Sequence, residues 1–117
     1  MDFPVTEIGK YKIIKLFGKV DWTKARLLDQ QISKIINQGY SHIVFNLDEI
    51  TFICSGGIGA IVYNLNKVKK VNGAMYLISS NDYVNFLFQT LKFDIIFDGL
   101  LFNSFDIFRE RILDKEK

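Results

Sequence analysis

Residues 52–59 read Phe52-Ile53-Cys54-Ser55-Gly56-Gly57-Ile58-Gly59. This segment joins an apolar run at 42–47 to an amphipathic run that begins at Ile58. Such an order is typical of a buried strand, a tight loop and a helix. It puts the Ser55 hydroxyl at the start of the helix, where backbone N–H groups are free and the dipole is positive. A phosphate group suits that position.

The composition favours one compact domain. The chain has 117 residues, 49% of them hydrophobic, so we expect a single domain over 1–117 with one substantial core. One cysteine allows no internal disulfide, and with no signal peptide expected at the N-terminus we predict a cytoplasmic protein. No apolar run reaches the length of a membrane span. A net charge of +2 does not favour a nucleic-acid partner.

Apolar periodicity and turn residues predict an α/β fold. We expect a single layer of mixed, mostly parallel β-sheet, of about five strands with four helices, in the order ββαβαβαβα. The predicted strands cover residues 3–8, 11–17, 42–47, 74–79 and 93–97. The helices are predicted to begin at Asp21-Trp22-Thr23, at Ser55, near Asn81 or Asp82, and at Asn103 or Ser104.

Motifs for catalysis and for metal binding are missing. The only histidine, His42, opens a strand and is interpreted as a packed strand residue. One histidine and one cysteine do not make a structural zinc site. The glycines at 56, 57 and 59 lack the lysine of a phosphate-binding P-loop. We therefore expect no enzymatic activity, no metal and no cofactor.

Four segments together resemble the STAS domain family, in particular its bacterial anti-sigma-factor antagonists. They are Gly18-Lys19-Val20-Asp21, the strand end Asn46-Leu47-Asp48, the loop at 52–59, and Asn72-Gly73-Ala74-Met75. The resemblance covers essentially the whole chain. It implies the STAS fold and a regulatory protein that binds an anti-sigma factor.

In that family the loop commonly reads Asp-Ser-Ser/Ala-Gly-hydrophobic-Gly. Its first serine is phosphorylated by the partner, a serine kinase that is also the anti-sigma factor. By this resemblance Ser55 is the phosphoacceptor, and Gly57 and Gly59 match the glycine pair. Cys54 stands where the aspartate is usual, and Gly56 stands where serine or alanine is usual.

The partner is expected to dock around Ser55. The predicted contact residues are Asp21, Trp22, Cys54, Ser55, Gly56, Gly57 and Ile58. Asp21 and Trp22 are included because the loop after the second strand should lie at the same end of the sheet. Simpler roles remain open: an N-cap for Asp21 or Ser55, a staple on the first helix for Trp22, and a small buried or a reactive thiol for Cys54.

Two alternative functions remain open. The first is a phosphorylation-independent STAS scaffold or adaptor subunit in a signalling assembly or beside a transporter, which the departures at Cys54 and Gly56 favour. The second is a domain that binds or hydrolyses a nucleotide with the glycine loop. The many phenylalanines after residue 85 also leave a homodimer open, through an exposed aromatic patch.

Overall fold

A computed structural model describes residues 3–116, and within them one five-stranded sheet forms the centre of the fold. The strands are Val5–Ile8 (β1), Tyr11–Val20 (β2), His42–Ile53 (β3), Ala74–Ile78 (β4) and Leu101–Phe102 (β5). They lie side by side in chain order. The β1–β2 pair is antiparallel and the other three pairs are parallel, so the predicted mixed, mostly parallel sheet is confirmed.

Five α-helical segments connect or follow the strands in the described part of the chain. They are Trp22–Asn37 (α1), Ser55–Lys70 (α2), Asp82–Thr90 (α3), Phe93–Ile96 (α4) and Phe105–Phe108 (α5). A π-helical turn at Arg109–Leu113 and a 3-10 turn at Asp114–Glu116 continue α5. The predicted starts at Asp21, Asn81 and Ser104 are confirmed, because each side chain accepts a hydrogen bond from the first turn of its helix.

The two faces of the sheet are covered by different parts of the chain. Alternate strand residues such as Ile14, Phe45 and Leu77 pack against α1, α2 and α3 in the main core. The intervening residues, including Tyr11 and Val44, pack with Phe108 beneath the C-terminal segment. Helices α1 to α3 share one face, and each follows the carboxyl end of a parallel strand, β2, β3 or β4.

The predicted strand at 93–97 is wrong. Residues 93–96 form the short helix α4, and the fifth strand lies further on, at Leu101–Phe102. The physical reason is the spacing of Phe93 and Phe97, which as helical i and i+4 neighbours both pack on Phe88. A five-residue apolar run does not distinguish helix from strand by periodicity. The expected four helices therefore become five.

The ends of two long strands also differ from the sequence prediction. β2 runs on to Val20 through Gly18, which has a φ of +68° at an irregular register, and β3 runs on to Ile53. Gly18 therefore accommodates a bulge and does not end the strand. The extended β3 includes Phe52 and Ile53 of the segment at 52–59, and the extended β2 ends beside it, where Val20 pairs with Ile53.

Two kinds of feature are absent from residues 3–116. None of the helices there is both long enough and apolar enough to cross a membrane. That same range contains no cluster of three or more histidine, cysteine or acidic residues with the geometry of a metal site. The predicted domain at 1–117 also includes residues 1, 2 and 117, which lie outside the described range.

Candidate functional site

Ser55 is the first residue of α2, and its side chain is exposed. Cys54, with extended backbone angles, is the N-cap, so the alternative of an N-cap role for Ser55 is wrong. The Cys54 carbonyl accepts from the N–H groups of Gly57 and Ile58 at 3.0 and 3.3 Å. Within the described residues, no backbone hydrogen bond uses the N–H of Ser55 or Gly56. These two donors therefore remain free at the positive end of the helix.

Backbone contacts hold the junction of β3 and α2 at Cys54 and Ser55, here called the Ser55 loop, against the start of α1. The Cys54 N–H donates to the Val20 carbonyl at 3.0 Å, which joins the end of β2 to the loop. Asp21 caps α1: its carboxylate accepts from the Lys24 N–H at 3.0 Å, and its carbonyl accepts from the Ala25 N–H at 2.8 Å. The expectation that Asp21 and the Ser55 loop lie at one end of the sheet is confirmed.

Trp22 lies on the first turn of α2. An added Cβ on Gly56 would stand 2.7 Å from Cε3 and 3.0 Å from Cη2 of the indole, and closer still to Cζ3. The ring thus occupies the space that a side chain at Gly56 would need. It is nevertheless 69% exposed. The indole of Trp22 therefore packs on the second helix, and a staple role on the first helix stays a prediction.

The other predicted contact residues differ in accessibility. Cys54 and Gly56 are partly exposed, whereas Gly57 is buried and Ile58 is 1% exposed. A side chain at residue 57 would collide with Ile53 and Val20, which explains why this residue is glycine. Gly57 and Ile58 therefore offer little surface to a partner in this structure, and their contact with a partner stays a prediction.

A groove between α1 and α2 begins at Trp22. It encloses about 420 Å³, and its walls come from both helices. Its lining residues are Trp22, Ala25, Arg26, Asp29, Gly56, Gly59, Ala60 and Tyr63. Asn64 fixes the two helices beneath it, because its amide donates to Asp29 at 3.0 Å and to the Ala60 carbonyl at 2.7 Å. The surface beside Ser55 thus has a defined shape.

The charges on α2 are arranged along the helix dipole. Its first turn carries no acidic residue, and its last turn carries Lys67, Lys69 and Lys70. The free positive end at Ser55 is therefore not neutralised by a side chain on its own first turn, and the lysines favour the opposite end. At 1.5 Å rise per residue, these lysines lie roughly 20 Å along the axis from Ser55.

Sequence reasoning missed Arg26, Asp29 and Tyr63 as neighbours of the site. Their spacing carries a usable signal. Residues 22, 26 and 29 on α1 and residues 56, 60 and 63 on α2 follow the same four-then-three pattern, which places each set on one helical face. That the two faces meet is a matter of tertiary packing and could not be read from either pattern.

Comparison with known proteins places this geometry in a family. The STAS domain model matches residues 2–114. The anti-sigma F factor antagonist of Lysinibacillus sphaericus is 27% identical over 104 residues, which cover 88% of this chain and 83% of that protein. Relatives of this chain thus include an anti-sigma factor antagonist.

Solved structures share the fold at lower identity. The Thermotoga maritima protein TM1081 has a TM-score of 0.84 at 22% identity, with 94% of this chain and 93% of that chain covered. The anti-sigma factor antagonist SpoIIAA in its unphosphorylated form has a TM-score of 0.73 at 23% identity, with 94% and 98% covered. SpoIIAA of Bacillus in its phosphorylated form also has a TM-score of 0.73, at 22% identity, with 93% and 99% covered. By its family match and its fold, this chain belongs to the STAS domain family.

Proposed function

We propose that this protein is an anti-sigma factor antagonist that binds an anti-sigma factor with serine-kinase activity and is switched off by phosphorylation of Ser55. The observation that carries the proposal is the position of the Ser55 hydroxyl: exposed, first in a 16-residue helix, and beside two free backbone N–H groups. The name of the Lysinibacillus sphaericus relative supports the antagonist role. The proposal includes a non-enzymatic, cytoplasmic protein with one STAS domain over 1–117.

The fold is expected to tolerate the phosphate. A phosphoserine adds about −1.5 to −2 charges at neutral pH. At the N-terminus of α2 this charge is favourable by roughly 0.3–1 kcal/mol, because the first turn carries no competing carboxylate. The equal TM-scores to the phosphorylated and unphosphorylated forms of SpoIIAA support a fold that both states share.

Phosphorylation would act on the surface. The proposed contact surface consists of Ser55, the exposed parts of Cys54 and Gly56, and the neighbouring Asp21 and Trp22. A dianion at Ser55 would introduce bulk and charge where the partner packs. A tenfold loss of affinity requires only about 1.4 kcal/mol. Local charge and steric bulk are therefore sufficient to release the partner without rearrangement of the domain.

The proposal is tested by phosphorylation and binding with one candidate partner. The purified protein is incubated with ATP and a serine-kinase anti-sigma factor from its own genome, and intact mass is measured. We expect one phosphate on the wild type and on Thr51→Val, an exposed hydroxyl four residues earlier, and none on Ser55→Ala. Ser55→Asp should weaken the complex about tenfold or more by calorimetry while the melting temperature stays unchanged or rises slightly.

Two results would contradict this function. Phosphate that persists on Ser55→Ala would assign the modification to another residue. Undiminished binding by Ser55→Asp and by the phosphorylated wild type would remove the switch, even if the protein is a substrate.

A phosphorylation-independent adaptor is the second candidate. Cys54 favours it, because this N-cap provides neither the carboxylate usual in the resemblance nor a side-chain hydrogen bond to the helix. An adaptor would form a stoichiometric complex that is the same with and without ATP, and Ser55→Ala would bind as the wild type does in both conditions.

A further inference from the structure

We propose that Gly56 seats the Trp22 indole beside Ser55, and that the kinase contacts this indole as it phosphorylates Ser55. This inference rests on the proposed function. Its physical basis is the fit between a large ring on α1 and the missing side chain on α2. We call these two residues the indole–glycine pair.

The geometry of the pair is restrictive. Three atoms of the six-membered ring lie within 3.0 Å of the place where a Cβ on Gly56 would stand. Contacts that short do not occur between packed carbon atoms, which are separated by about 3.5–4.0 Å. An alanine or serine at residue 56 would therefore force the indole away. The contact with the indole thus explains why glycine, and not the usual serine or alanine, stands at residue 56.

The first turn of α2 offers a kinase a single phosphoacceptor. Residues 55–58 read Ser-Gly-Gly-Ile, so Ser55 carries the only hydroxyl of this turn. The indole is adjacent to it through Gly56 and is 69% exposed. A kinase that reaches the Ser55 hydroxyl from the side of α1 would cover this ring. Covering an exposed tryptophan is among the strongest contributions a single residue makes to protein recognition.

Moving the ring should not unfold the protein. The colliding atoms belong to the far end of an exposed side chain, which is free to rotate toward solvent. Alanine is also a better helix former than glycine within α2. Gly56→Ala therefore separates recognition from stability, because it displaces the indole while the helix remains intact.

The first measurement needs no partner. Trp22 is the only tryptophan, so its fluorescence reports the ring without interference. We expect Gly56→Ala to increase acrylamide quenching of the emission and to leave the melting temperature at or above that of the wild type. Gly59→Ala is the matched control on the same helix: nothing lies within 4 Å of its added Cβ, so quenching should not change. Unchanged quenching in Gly56→Ala would refute the packing of the Trp22 indole on Gly56.

The second measurement uses the kinase that phosphorylates the wild type, with ATP. We expect Trp22→Ala and Gly56→Ala each to raise KM for the protein about tenfold, equivalent to about 1.4 kcal/mol, with little change in kcat. The double variant should be no worse than Trp22→Ala, because both changes remove the same contact. Phe86→Ala is the control: it removes an aromatic side chain that is equally exposed, at 70%, on α3.

The outcomes separate this inference from the function on which it rests. If the wild type is phosphorylated at Ser55 and neither variant changes KM, the indole–glycine pair is refuted and the proposed function stands. Additive losses in the double variant, or an equal loss in Phe86→Ala, would also refute it. If Ser55 of the wild type is not phosphorylated, the proposed function is refuted, and this inference is refuted with it.

Discussion

The Tyr11 hydroxyl donates to the Glu116 carboxylate, with its oxygen 2.8 and 2.9 Å from the two carboxylate oxygens. This contact joins the first residue of β2 to the last described turn of the chain. Tyr11 is almost fully buried, and its ring meets Phe108 edge-on at 5.9 Å. Burial, and then the Glu116 carboxylate, raise the pKa of the Tyr11 hydroxyl. The pair fixes the C-terminal segment on the face of the sheet opposite α1 to α3.

Removal of that hydroxyl should loosen the C-terminal segment. Tyr11→Phe keeps the ring and loses a hydrogen bond to a charged group, so we expect the free energy of unfolding to fall by about 1.5–3 kcal/mol. Urea denaturation measures the change. Tyr63→Phe, which removes an exposed hydroxyl, should stay within about 0.5 kcal/mol of the wild type. Equal stability of Tyr11→Phe and the wild type would show that water replaces the contact without loss.

Asn81 has two separable roles at the start of α3. Its side-chain oxygen accepts from the N–H groups of Tyr83 and Val84, and its amide donates to the Ile50 carbonyl at 2.7 Å. Asn81→Ala should cost about 1–3 kcal/mol, because it loses both the cap and the bond to β3. Asn81→Ser should recover only the cap. Chemical denaturation of both variants tests this, and wild-type stability of Asn81→Ser would contradict the bond to the strand.

Two further glycines should respond to alanine in opposite directions. An added Cβ at Gly59 would meet nothing within 4 Å, so Gly59→Ala in the interior of α2 should stabilise the protein by about 0.5–1 kcal/mol. At Gly73 the same atom would collide with the backbone carbonyl of Ser41, and Gly73→Ala should cost about 1–3 kcal/mol. Thermal melts under one condition compare them. A stabilised Gly73→Ala would contradict the close approach of these segments.

Stability should decrease on mild acidification because of His42. Burial, and then the charge of Lys10, lower the pKa of the His42 ring, while Glu116 opposes the shift. The unfolded chain therefore binds this proton more readily than the folded one. The stability contribution is present above about pH 6.5 and is lost as the pH falls through the lower folded pKa. Urea denaturation at about pH 7.5 and about pH 5 measures the loss, which should shrink in His42→Gln. If His42→Gln loses as much stability as the wild type does, other titratable groups cause the loss.

Local sequence signals were reliable where one segment decides its own structure. The side chains of Asp21, Asn81 and Ser104 cap helices as predicted, because a cap depends on residues within three positions along the chain. The segment at 52–59 likewise predicts a helix start, since its signal is a change of apolar period within a few residues. The strand predicted at 93–97 was wrong because a five-residue apolar run suits a helix as well as a strand, and packing of Phe93 and Phe97 on Phe88 of α3 favours the helix.

The chain's own pattern was enough to predict an α/β sheet with four of its five strands and to place Ser55 at the start of a helix, because periodicity and capping are short-range properties. Only the folded molecule could show that Trp22 lies on Gly56, that α1 and α2 enclose a groove, and that Tyr11 bonds to Glu116. Those relationships join residues far apart in the chain. Packing of whole elements against one another brings them together, and no local periodicity records which faces will meet.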